Sequence, residues 1–255
     1  MDDQQNEPAT TVKPPDSPPK NPSDEFPGAF SLLKPSMHAI SLNLSAFLAL
    51  ALIPIGVLGL LTIMVGIFRD SAALTFILVL IGLACGVYFL LYFGPASIYL
   101  QIQSARQRKV STEEALGNGK KYAFKFLGLC LAIGLIVCFG LILLIIPGVI
   151  LYKRYYLATY YLVDKNLSIG EAMKASATAT SAHSNAIWGV IGVSFLFGLI
   201  GIIPLIGGLI GGIMQLLYSY APALRYSQIE KGPASEPVAS TIPIVPPKPT
   251  ELRQR

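Results

Sequence analysis

Charge is what this chain has least of. Only 13% of its 255 residues are Asp, Glu, Lys or Arg, about half the share of a soluble domain. That excludes a conventionally solvated surface over the whole chain. Histidine is reduced to His38 and His183. Each stands alone near a polar boundary, whereas a zinc site needs three or four ligands. Cys85, Cys130 and Cys138 are the only cysteines. All three lie inside apolar stretches with no His or Asp at ligand spacing, so they read as small packing residues and not as a disulfide or metal framework. No Ser-His-Asp order, phosphate loop or dinucleotide fingerprint is present, because the glycines fall inside apolar runs and not after strands. Glu113, Glu114 and Glu171 sit where they complement helix dipoles. Catalysis, a metal and a cofactor are therefore not expected. The net charge of +5 does not point to nucleic acid either, since the bases are spread along loop edges, where membrane topology accounts for them.

Apolar sequence is abundant. Hydrophobic residues make up 53% of the chain and the mean hydropathy is +0.59. Six stretches, at about residues 43–68, 74–100, 122–146, 149–163, 186–203 and 205–226, are apolar over most of their length. A bilayer core asks for about 20 such residues per helix. The expectation is an all-α, polytopic membrane helix bundle of about six transmembrane helices. Pro54 falls inside the first stretch, where neighbouring helices can satisfy the freed carbonyl. Pro147 and Pro204 mark the second and third tight turns.

Residues 38–227 form the expected transmembrane domain. Residues 1–37 and 228–255 are proline-rich and polar, and read as disordered tails that cannot bury enough surface to order themselves. Both carry P-x-x-P spacing (Pro15 to Pro18, Pro243 to Pro246), which could dock a protein partner's aromatic groove. The acidic start lacks the pattern of a cleaved signal, so the first apolar helix is expected to act as the insertion signal.

Lys and Arg near helix ends set orientation. Lys34, Arg106, Arg108, Lys109, Lys120, Lys121, Lys125, Lys165, Lys174, Arg225 and Lys231 fall on one set of connections. The other set holds only Arg69, with Lys153 and Arg154 just inside the fourth stretch. Both termini and both long loops are thus expected on the cytoplasmic side. Arg106, Arg108, Lys109, Lys120, Lys121 and Lys125 form a basic patch that would attract anionic headgroups at about 1 kcal/mol each. Lys153 and Arg154 have two readings. In one they snorkel from an interfacial belt with Tyr152, Tyr155 and Tyr156. In the other Arg154 binds a lipid phosphate, which suits guanidinium geometry. Asp70 and Asp164 are candidate counter-charges.

An internal repeat separates the predicted spans. Ser111-Thr112-Glu113-Glu114-Ala115 recurs, 57 residues later, as Ser168-Ile169-Gly170-Glu171-Ala172. Each reads as a capping box, Ser111 with Glu114 and Ser168 with Glu171, opening a short cytoplasmic elbow helix. Gly82/Gly86, Gly207/Gly211 and Gly208/Gly212 have the G-x-x-x-G spacing that lets helix backbones approach. Packing within the chain is one use of it, and a homodimer through the sixth helix is another.

The run Ile146-Pro147-Gly148-Val149-Ile150, with the later Glu171-Ala172-Met173-Lys174-Ala175-Ser176, resembles the bacterial membrane proteins related to the membrane domain of glycerophosphodiester phosphodiesterases. In that family an I-P-G turn leads to a helix carrying a basic residue, and a loop helix reads E-A-hydrophobic-x-x-S. Arg154, Glu171, Ala172 and Ser176 match. The resemblance covers about residues 90–228 and implies an inner-membrane location; no soluble phosphodiesterase domain follows Tyr226, so no activity is carried over. The expected role is a non-catalytic, lipid-interacting or accessory membrane protein in contact with anionic lipids. The alternative is a small-molecule transporter or channel, which broken helices at Pro54, Pro95, Pro147, Pro204 and Pro222 would favour.

Overall fold

The computed structural model describes residues 26–203 and 207–231. The P-x-x-P spacings and most of both proline-rich tails lie outside these residues, as does Pro204. Among the described residues the chain is an all-α bundle. A 3-10 turn (Ala29–Leu32) leads into α1 (Leu33–Leu42), α2 (Leu44–Ile67), α3 (Ala72–Ala105), α4 (Thr112–Lys120) and α5 (Ala123–Leu143). There follow α6 (Ile145–Tyr155), α7 (Ala158–Lys165), α8 (Ile169–Ala182), α9 (Ser184–Ile200), α10 (Gly207–Leu217) and α11 (Ala221–Lys231).

Three helices, α2, α3 and α5, are long and apolar enough to cross a membrane, and α8 with α9 would make a fourth if that pair, bent by 99°, is one span. Helices of this kind fit a membrane location. Almost none of their apolar length is buried within the chain: 6%, 0% and 11% for α2, α3 and α5.

Two of the six predicted spans are divided. Residues 149–163 form parts of α6 and α7, broken at Tyr156-Leu157. The Ser176 hydroxyl enters this break, donating to the Arg154 carbonyl at 2.9 Å and accepting from the Leu157 amide at 3.2 Å. It replaces the ladder bonds that a continuous helix would have made. Residues 205–226 likewise hold α10 and the start of α11, separated at Tyr218-Ser219-Tyr220. Pro222 has no amide to donate, and its ring would clash inside a continuous helix. It is accommodated in the first turn of α11 instead.

Pro147 does not end the third helix, as expected, but sits in the first turn of α6, where its missing N–H costs nothing. Leu144 alone, with an extended backbone, makes the turn from α5. Gly148 permits it: a Cβ there would meet the Leu141 side chain at 2.6 Å and its amide at 2.7 Å.

The amino-terminal boundary also moves. Residues 29–37 were expected in a disordered tail, yet Leu32 and Ser36 are fully buried, because Leu32 packs into the main core with Ile102, Leu157 and Tyr226. At the other end α11 continues four residues past the expected limit of 227.

The core gathers where the bases of the sequence also gather. Leu100, Ile102, Leu129, Leu157, Leu162, Ile187 and Tyr226 are sealed there. Gly119 brings α4 against α3, since a Cβ on it would meet the Ala96 amide at 2.7 Å. Asn43, at the junction of α1 and α2, is buried and satisfied. Its amide group donates to the Ser104 hydroxyl (2.8 Å) and the Arg108 carbonyl (2.9 Å), and its carbonyl accepts from the Val110 amide (2.8 Å). From this packed end the apolar helices extend as three hairpins, α2 with α3, α5 with α6, and α9 with α10.

Candidate anion-binding groove

The last turn of α6 carries Lys153 and Arg154. Beside it runs α8, started by a complete capping box: the Ser168 hydroxyl accepts from the Glu171 amide, and the Glu171 carboxylate accepts from the Ser168 amide at 3.0 Å. The Ser168 hydroxyl also donates to the Glu171 carboxylate at 2.7 Å, and this bond first, the amide bond second, holds the Glu171 carboxyl below its ordinary value. Next along α8, Ala172 is fully buried against the core, and one turn further Ser176 reaches the break behind Arg154. Thr180, also fully buried, places its hydroxyl 3.1 Å from the same Arg154 carbonyl and donates to the Ser176 carbonyl at 2.8 Å. The matched residues Glu171, Ala172 and Ser176 therefore start, seat and fasten the helix that holds the backbone of Arg154.

Between α6 and α8 lies a groove of about 780 Å³. It is lined by the cations Lys153, Arg154 and Lys174, by Thr178, Thr180 and Ser181, and by apolar Ile150, Met173 and Ala177 beside Tyr155 and Gly170. Among the described residues no carboxylate lines it; the nearby Glu171 faces a second groove, of about 440 Å³, which it shares with Lys174 and Tyr161. Lys153 donates to the Ser184 hydroxyl at 2.9 Å and stands 5.7 Å from the Trp188 ring centroid. Among the described residues the Arg154 guanidinium meets no acid, and the side chain is exposed. The Thr178, Thr180 and Ser181 hydroxyls donate to the carbonyls of Lys174, Ser176 and Thr178, so it is the three cations, with no acid among the described lining residues, that suit an oxyanion.

The expected counter-charges go elsewhere. Asp164 takes a bidentate pair from Arg106, at 2.7 and 2.6 Å, and a hydrogen bond from the Tyr226 hydroxyl at 2.7 Å. The bond to Asp164 raises the Arg106 pKa. Asp70 lies beside Arg69, at 3.9 Å on an exposed turn.

The basic patch of the sequence is also divided by the fold. Arg106 is tied to Asp164, and Arg108 to Glu114 at 2.9 Å. Lys109, Lys120 and Lys121 are exposed, with Lys121 donating to Asn118. Lys125 donates to Asn166 at 3.2 Å, and none of the six lines the groove. At the first repeat Ser111 caps α4 by accepting from the Glu114 amide at 3.1 Å, but the reciprocal half of the box is absent. The Glu114 carboxylate instead takes Arg108 and the Tyr99 hydroxyl.

The glycine pairs separate too. Gly207 and Gly211 pack α10 on α9: a Cβ on Gly207 would collide with the Ile200 carbonyl, and one on Gly211 would meet the Gly201 amide at 2.6 Å. A Cβ on Gly82, Gly86 or Gly212 would meet nothing within 4 Å, and one on Gly208 only the Gly201 carbonyl at 3.9 Å.

Sequence reasoning did not put Lys174, Thr178 and Ser181 in a site. A signal was present, since Gly170, Lys174, Thr178 and Ser181 recur at spacings of four, four and three on one face of α8. No protein family, curated protein or solved structure matches the chain.

Proposed function

We propose that this protein is a non-catalytic multi-pass membrane protein that binds anionic lipid headgroups in the groove between α6 and α8. One observation carries the reading: Lys153, Arg154 and Lys174 converge on a groove with no carboxylate among its described lining residues, on a chain whose long helices bury almost nothing against one another. Each charge-assisted contact to a phosphate would contribute about 1.5–3 kcal/mol. The resemblance of Ile146-Pro147-Gly148, Arg154 and Glu171-Ala172 with Ser176 to the membrane domain of the phosphodiesterase relatives supports the same reading. So does the excess of Lys and Arg on one set of connections, which favours a bacterial inner membrane with both termini cytoplasmic. The exposed Lys109, Lys120 and Lys121 then strengthen attraction to the same leaflet.

Native mass spectrometry of the purified chain in mild detergent tests this, wild type beside Arg154→Ala and Lys174→Ala. Retained anionic phospholipid that falls in both variants is expected. Equal retention in all three would sink the reading. Trp188, the single tryptophan, stands beside Lys153 and reports the same site by fluorescence. A response to inorganic phosphate alone would show a site for free oxyanions and not for lipid.

A further inference from the structure

The cationic groove is continued along α6 by an apolar one. On α6, Pro147, Leu151 and Arg154 stand at i, i+4 and i+7, one above another on a single helix face. Arg154 borders the polar groove, while Leu151 and Pro147 line a second groove, of about 510 Å³, on the same face. Its other wall belongs to α5: Leu135, Ile136, Phe139, Gly140 and Leu143. Among the described residues none with a charge or hydroxyl lines it. The contact of Gly148 with Leu141 and of Gly140 with Leu151 sets the antiparallel register of α5 and α6. That register puts Leu135 level with Arg154, and Leu143 level with the turn at Leu144. The apolar groove thus begins at the height of the cations and runs about 12 Å along α5 at the helical rise.

We infer that the two grooves are one site for a single anionic lipid, its phosphate among Lys153, Arg154 and Lys174 and one acyl chain along the α5–α6 hairpin between Phe139 and Leu151. The inference rests on the proposed headgroup site and adds the chain. A polar and an apolar groove stacked on one helix face match a molecule with a charged head and an apolar tail. A free phosphate would leave the lower groove unused, and a neutral lipid would leave three cations unpaired.

The test uses the full chain in phosphatidylcholine nanodiscs containing a small fraction of a photoreactive probe. One probe is phosphatidic acid with a diazirine in its acyl chain, and the other is phosphatidylcholine with the same chain. Labelled residues are located by mass spectrometry. The acidic probe should label residues 135–143 and 147–151 about tenfold more than the neutral one, the factor expected when one charge-assisted contact holds the head. Arg154→Ala should abolish that excess and leave labelling of the outward face of α2, at Leu52 and Leu60, unchanged. Ile136→Phe, which fills the lower groove on a partly exposed position and leaves every cation in place, should reduce hairpin labelling and keep the Trp188 response to inorganic phosphate. Hairpin labelling that is equal for the two probes, while anionic lipid is still retained through Arg154, would overturn the chain site alone. Loss of selective retention in the wild type would overturn the headgroup site with it.

Discussion

Leu162, on α7, and Leu135, on α5, are both leucines in helices of one chain, and their surroundings have nothing in common. Leu162 is fully buried, in the same core cluster as Tyr160, Tyr161, Ala172 and Tyr226. Leu135 is 71% exposed. The difference runs through the molecule. At the packed end, side chains hold the helices to one another: Asn43 to the α3–α4 connection, Arg106 and Tyr226 to Asp164, Ser176 to the α6–α7 break. In the hairpins a helix meets mainly its own partner, and what surrounds it must supply the remaining contacts. A hydrophobic side chain facing lipid gains nothing from being moved against another apolar helix, so those arms need only local fit. Stability and shape are concentrated at the end that lipid does not build.

Substitutions at the two ends should therefore differ. Leu162→Ala should cost about 2–5 kcal/mol, the range for a large-to-small change in a sealed core. Leu135→Ala should stay within about 0.5 kcal/mol. Thermal unfolding in detergent, followed through Trp188, reads both, and equal shifts would erase the distinction. Within the hairpins, Gly211→Leu should lose about 1–3 kcal/mol by forcing α10 off α9, while Gly212→Leu, one residue away and facing open space, should lose none. The same melts decide this, and a loss in Gly212→Leu with none in Gly211→Leu would reverse the assignment of faces. Ser176→Ala should cost about 1–3 kcal/mol, because it leaves the buried Leu157 amide without its partner and the Arg154 carbonyl with the Thr180 hydroxyl alone. Retention of anionic lipid should weaken with it, since the backbone under Arg154 loses its anchor. The smallest effect belongs to Glu171. Its carboxyl is held below its ordinary value in the folded chain, so the box stabilises the fold above the unfolded carboxylate pKa of about 4.3. That contribution fades as pH falls through the folded value. Glu171→Gln should flatten this acid-side slope and leave melting near neutrality almost unchanged.

Much of the hairpin layout was legible in the sequence, because long apolar runs and short turns are local properties. The starts of α4 and α8 were legible for the same reason: a cap needs only its own next three residues, as Ser111 and Ser168 show. The α6–α7 break was not, because its cause is a hydroxyl nineteen residues on, at Ser176. Nor was the sharing out of the basic residues. Arg106 reads like its neighbours in sequence, but only the fold brings Asp164, 58 residues away, to it. The G-x-x-x-G spacing named the right residues at Gly207 and Gly211 without saying which face met a partner, and the identical spacing at Gly82 and Gly86 meets none. The groove itself joins α6 to α8, so Arg154 could be singled out from sequence while Lys174 and Ser181 could not be placed beside it.

The brevity of the hairpin turns has a practical side. Leu144 alone separates α5 from α6, and Arg69, 80% exposed in its side chain, is the single basic residue in any turn at that end. A protease that cuts after Lys or Arg, meeting the molecule from the turn end, would find one place to cut. From the opposite end it would find many. The two directions of approach would leave digestion patterns as different as a single nick and a ladder.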